Sequence, residues 1–149
     1  MSSLAVDKVK KKVAVSLADR TQLTGYIFLS AFSEIGVGAQ SVLEALTGRE
    51  LFLPFETPEG ELSFINRRQI VWLSSLFEPE ELTGRVPAET RGVTIFLKDG
   101  QRLRGHMVKA MPETKDRLSD WLNDLADFMV VRDQKREILI NLDFIIRVA

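Results

Sequence analysis

Four aspartates, Asp116, Asp120, Asp124 and Asp127, recur at intervals of three and four residues, the spacing that lines one face of a helix. Such a ridge offers several carboxylate oxygens, the donors that Mg²⁺ or Ca²⁺ requires, and would serve a metal-dependent enzyme. Helix-face carboxylates diverge, and no loop ligands accompany these four, so a solvated face is the expectation and no metal or cofactor is assigned. The single histidine, His106, has no G-x-S-x-G elbow or other activated nucleophile to serve as general base, and reads as a strand residue. Gly36-Val37-Gly38 lacks the lysine of a phosphate loop and reads as a connector. With no cysteine in the chain, thiolate catalysis, disulfides and iron–sulfur clusters are excluded. No catalytic group is expected.

The 149 residues, 45% hydrophobic and 28% charged, describe a folded globular protein. Twenty Lys+Arg against 21 Asp+Glu leave a net charge of -1, and 8 of each sign precede Ser75, so neither half is a basic arm. Met1 to Val6 lacks the apolar run of a signal peptide, and no stretch suits a membrane span; a cytoplasmic location is expected. Lys8 and Lys10 to Lys12 read as a solvated leader ahead of the first strand.

Self-comparison is more informative. Val13, Val15, Leu17, Asp19, Leu23, Gly25 and Ile27 are matched eighty positions later by Val93, Ile95, Leu97, Asp99, Leu103, Gly105 and Met107. Ile65-Asn66 with Ile70 reappears as Ile140-Asn141 with Ile145, where the offset has fallen to 75 (141 minus 66). Two repeats follow, residues 11–76 and 91–149, with residues 77–90 as linker. Each is small enough to need a shared apolar interface.

Period-two alternation through Val13, Val15 and Leu17, then Leu23, Gly25 and Ile27, predicts a hairpin. In the second repeat Asp99-Gly100 suits a type I′ turn; Arg20 is a poorer fit and predicts a wider one. Gly25 and Gly105, inside the second strands, signal sharp bending. Ser41 and Glu44 form a capping box for a helix that Gly48 would end, and Thr114 or Ser119 would begin its counterpart. Strands are expected at 51–55, 62–66 and 69–73, and at 128–132, 137–141 and 144–148. Asn66 and Asn141 mark the tight turns, through left-handed geometry or by bonding their own backbone. Each repeat is β-β-α-β-β-β, so the chain is mainly β with inserted short helices.

The opening Val93-Thr94-Ile95-Phe96-Leu97-Lys98-Asp99-Gly100-Gln101-Arg102-Leu103-Arg104-Gly105, with endings at Ile65 to Ile70 and Ile140 to Ile145, resembles the Sm-like fold. That resemblance covers about two-thirds of the chain and implies two tandem, strongly bent, five-stranded antiparallel barrels. Arg117-Leu118-Ser119-Asp120-Trp121-Leu122-Asn123 also resembles the R-x-S-D-x-L-N signature of uncharacterised bacterial families. In Sm-like proteins that bind RNA, an Asp and an Asn follow the second strand and a basic residue precedes the last. Here a helix is inserted after the second strand, Asp120 and Asn123 sit inside the insertion, and Leu142-Asp143 replaces Arg67-Arg68 in the second repeat. RNA binding through Asn66, Arg67 and Arg68 is therefore an alternative and not the favoured reading.

Tyr26, Phe28, Phe52, Phe64 and Phe96 fall on the opposite phase from Ile27, Leu51 and Ile95, so several strands are apolar on both faces. The surplus face is expected to be covered by the other repeat or by another chain. A protein-interaction or self-assembly module follows, and the duplication would permit a pseudo-symmetric ring of three chains.

Overall fold

The computed structural model describes residues 8–30, 41–76 and 89–149. The connector at Gly36 to Gly38 and residues 77–88 of the linker lie outside the described residues. The chain is mainly β: β1 (Lys8–Leu17), β2 (Gln22–Ser30), α1 (Val42–Thr47), β3 (Phe52–Glu56), β4 (Leu62–Asn66) and β5 (Ile70–Leu76) are followed by β6 (Thr90–Leu97), β7 (Arg102–Val108), α2 (Leu118–Asn123), β8 (Phe128–Asp133), β9 (Arg136–Asn141) and β10 (Ile145–Val148). The order β-β-α-β-β-β thus occurs twice. By contact the chain divides into two units, Met1–Ile70 and Val71–Ala149. No helix among the described residues is long and apolar enough to cross a membrane.

In the first unit β1, β2, β3 and β4 are neighbours in that order. Alternation sends Val13, Val15, Ile27 and Leu29 inward, where they are buried with Leu53, Phe55 and Ile65. The lysine cluster is no leader: Lys8 to Lys12 lie within β1, opposite Ser30 to Tyr26. Lys10 Nζ reaches Glu56 Oε1 at 2.6 Å. Helix α1 opens with the expected capping box, in which Glu44 N donates to Ser41 Oγ (3.1 Å) and Ser41 N to Glu44 Oε1 (3.3 Å). Gly48 ends it in extended backbone, φ -72°, so its left-handed freedom is not used.

In the second unit the strands follow the order β10-β6-β7-β8-β9-β5. Val93, Ile95, Leu97, Met107, Met129, Val131 and Ile140 form a buried cluster that Trp121 of α2 joins from one side and Val71 of β5 from another. Among the described residues β10 and β5 are not neighbours, so these strands do not close into the barrel expected from the sequence. β5 belongs to the first repeat by sequence, yet it pairs with the fourth strand of the second: Trp72 lies opposite Ile140, Leu73 opposite Leu139 and Ser74 opposite Ile138. Trp72 Nε1 donates to Gln101 Oε1 (3.2 Å) and Arg136 Nε to Ser74 Oγ (2.7 Å), adding side-chain bonds to β5 at two positions.

Local geometry repeats with the sequence. Arg20 N donates to Leu17 O and Leu17 N to Thr21 O, as Gly100 N does to Leu97 O and Leu97 N to Gln101 O. This is a three-residue connection whose last residue is left-handed. It replaces the two-residue turn expected at Asp99-Gly100, and at Arg20 it is the wider turn expected there. Asp19 and Asp99 serve it by accepting from Thr21 N (2.9 Å) and Gln101 N (3.0 Å). Gly25 and Gly105 permit close strand approach: a Cβ on Gly25 would overlap the Glu56 carbonyl oxygen and the Phe55 ring, and one on Gly105 the Val131 side chain and the Arg132 carbonyl. Asn66 and Asn141 both have φ -68°, and act by accepting from Arg68 N (2.9 Å) and Asp143 N (3.0 Å) rather than by left-handed geometry.

Candidate functional site

The four aspartates do not form a ridge, because α2 spans only Leu118–Asn123 and leaves Asp116 before it and Asp127 beyond it. Each has a separate environment. Asp116 accepts from Lys109 Nζ (3.5 Å), and Asp124 accepts from the Thr114 hydroxyl. Asp120 receives Arg117 N (3.3 Å) and the Arg117 guanidinium (3.0 and 3.2 Å). That contact starts α2, where Arg117 is the cap residue in place of Ser119 or Thr114. The same guanidinium holds the Asp120 carboxyl below the usual carboxylate range. No three acidic or histidine side chains converge on a metal position among the described residues. Asn123 Nδ2 donates to Ser119 O (2.8 Å), so the Arg117, Asp120 and Asn123 side chains of the R-x-S-D-x-L-N segment all bond within it.

Behind α2, Trp121 is buried, with the Arg91 guanidinium 4.9 Å and the Lys109 ammonium 5.8 Å from its ring centre. Lys109 also meets Glu89 Oε2 at 3.0 Å, and this hydrogen bond raises its pKa above the ordinary lysine value.

The basic turn is likewise structural in part. Arg67 N donates to Leu51 O (2.8 Å), and the Arg67 guanidinium donates to the carbonyl oxygen of Gly48, fastening the end of α1 to the β4–β5 turn. Leu142 N repeats the backbone contact with Asp127 O (3.0 Å) but has no guanidinium to repeat the other. Arg68 is exposed beside Asn66. His106 is exposed on β7, opposite Gly92 and Arg132, and among the described residues no nucleophile or carboxylate is hydrogen-bonded to it.

What the structure leaves unpartnered is edge. Among the described residues β4 has β3 as its one neighbour, and β10 has β6. Their counterparts β9 and β5 are paired with each other, and the exposure of equivalent side chains differs accordingly. Phe64 on β4 is 60% exposed, whereas Leu139, at the same position of β9, is 0% exposed. Ile146 on β10 is 66% exposed, whereas Val71, at the same position of β5, is 2% exposed. Phe52 and Leu62 are also exposed and share the Phe64 face of the β3–β4 hairpin, since Phe52 lies opposite Asn66 and Glu56 opposite Leu62. β4 carries no charge or proline of the kind that protects an edge strand.

A second surface lies on the outward face of the second unit's sheet. There Arg102, Arg104 and His106 alternate along β7, with Arg132 on β8 and Arg147 on β10. Counting charge by halves of the chain hides this concentration, although the R-x-R-x-H spacing on a strand would have disclosed it.

Comparison with protein-family models, with curated proteins and with solved structures found no match.

Proposed function

We propose that this protein is a non-catalytic, cytoplasmic interaction module made of two tandem Sm-like units, which associates with further copies of itself through its unpaired sheet edges. The observation that carries this reading is the contrast between equivalent edges: Phe64 and Ile146 are exposed where Leu139 and Val71 are buried. The pairing of β5 with β9 supplies the pattern. Carried over to β10 of one copy and β4 of another, it sets Val148 opposite Phe64, as Leu73 stands opposite Leu139. Such a contact repeats head to tail, so it builds a ring if the rotation closes and a filament if it does not. Main-chain hydrogen bonds along the edges and the apolar side chains of Phe52, Leu62, Phe64 and Ile146 supply its affinity.

Light scattering after size exclusion tests the reading. The expected result is an oligomer that Phe64→Glu, a change at an exposed position, converts to a folded monomer. A wild-type monomer across the accessible concentration range overturns it. Nucleic-acid binding through the first repeat is less well supported, because the Arg67 guanidinium is already engaged with the Gly48 carbonyl.

A further inference from the structure

The cross-strand registers of the second unit order its outward face into rows. Arg147 lies opposite Phe96 and Phe96 opposite Arg102; Thr94 lies opposite Arg104; Gly92 lies opposite His106 and His106 opposite Arg132. Residues opposite one another in an antiparallel pair share a face, so four arginines and the histidine stand together. The guanidinium carbons of Arg147 and Arg102 lie 3.9 and 5.2 Å from the centre of the Phe96 ring. This stacking holds two flat cations in place on the sheet.

Between them and β8 is a shallow depression of about 370 Å³, bordered by Thr94, Arg104, His106 and Asp133. Gly92 also borders it, and a Cβ built there would meet nothing within 4 Å. Arg132 is neutralised by Glu137 (3.2 Å), but among the described residues no carboxylate lies within ion-pair distance of Arg102, Arg104 or Arg147. The fold does not require these charges. The equivalent positions of β1, β2 and β3 hold Ser16, Gln22, Thr24, Tyr26 and Glu56.

We propose that this face docks an acidic protein segment whose carboxylates sit at alternate positions of an extended chain. Arg102 and Arg104 are two residues apart on one strand, so their side chains rise about 6.8 Å from each other, the spacing of alternate side chains on any extended peptide. A guanidinium is a planar fork that matches a carboxylate with two parallel hydrogen bonds. Nucleic acid fits less well. The Phe96 ring is already covered by guanidinium groups and offers a base little stacking surface, while Asp133 and Glu137 repel closely spaced phosphates. The net charge of -1 adds no long-range attraction for a polyanion.

The proposal goes beyond association through β4 and β10 and is independent of it. It is tested by titrating the ¹⁵N-labelled full chain with a peptide of alternating Glu and Ser and following backbone amide and arginine side-chain shifts. The expected result is a saturable response centred on Phe96, Arg102, Arg104 and Arg147, at least about tenfold weaker in Arg104→Glu, since three or so exposed ion pairs of moderate strength are at stake. Among the described residues no ion pair rests on the Arg104 side chain, so the variant is expected to keep the wild-type melting temperature. Phe64→Glu is expected to bind the peptide as wild type does, which separates this surface from the sheet edges. Shifts located elsewhere, no response, or an undiminished response in Arg104→Glu overturns the proposal. So does tighter binding at the same face by a single-stranded oligonucleotide of equal charge.

Discussion

Arg20 and Gly100 occupy the same left-handed position of the same turn in the two repeats, with φ of 72° and 90°. For an L-residue this conformation sets Cβ against the following carbonyl oxygen and costs roughly 1–2 kcal/mol, whereas glycine adopts it freely. Glycine also gains more freedom in the unfolded chain, which offsets part of the difference. Arg20→Gly is therefore expected to stabilise the protein by about 0.5–1 kcal/mol, and Gly100→Arg to destabilise it by about 1–2 kcal/mol. Urea denaturation of the two variants checks both signs.

The outcome at this turn also shows what a sequence can disclose. Alternation and the matched blocks located both hairpins, both helix insertions and the order of elements, because those follow from local side-chain patterns. The turn type at Asp99-Gly100 was not legible, since Asp-Gly suits two different connections, and Arg20 adopts a backbone that its residue type disfavours. Lys8 to Lys12 pair as a strand because β2 provides a partner along their full length, information absent from a run of lysines. The edges were hardest to see. Whether Phe64 is core or surface depends on which strand lies beside it, and the pairing of β5 with β9 joins residues too distant in sequence for any local pattern to report.

Gly25 and Gly105 are expected to tolerate no side chain. The atoms that a Cβ would meet include the carbonyl oxygens of Glu56 and Arg132, which are fixed by strand pairing and cannot move as a flexible side chain can. Gly25→Ala and Gly105→Ala should each cost about 1–3 kcal/mol or more. Gly92→Ala, where a Cβ meets nothing, should stay within about 0.5 kcal/mol of wild type. Thermal melts of the three variants separate close approach from the general entropy of glycine.

Acid should loosen both Asp19 and Asp120. Asp19 lies below the usual carboxylate range chiefly through its side-chain hydrogen bond with Thr21, and Asp120 through its hydrogen bond with Arg117. A group whose pKa is depressed by folding contributes stability that is present above its unfolded value, near ~3.9 for aspartate, and lost as pH falls through the folded value. Melting temperature should therefore fall below about pH 4. Asp120→Asn with Asp19→Asn should flatten that fall while lowering stability at neutral pH. An unchanged acid slope in the double variant would show that other groups govern it.

Equivalent strand positions should respond very differently to the same substitution. Leu139 and its partner Leu73 are fully buried, so Leu139→Ala is expected to cost about 2–5 kcal/mol at any protein concentration. Phe64→Ala removes a larger side chain from the matching position of β4, but that side chain is exposed, and in dilute solution the change should cost less than about 1 kcal/mol. If β4 pairs with β10 of another copy as proposed, association at high concentration stabilises the wild type by mass action, and Phe64→Ala forfeits that increment. The difference in melting temperature between wild type and Phe64→Ala should consequently widen as concentration rises, while the Leu139→Ala difference does not. Scanning calorimetry over a hundredfold range of concentration, about 1 to 100 µM, measures both; a Phe64→Ala difference that stays constant places Phe64 outside any contact between copies.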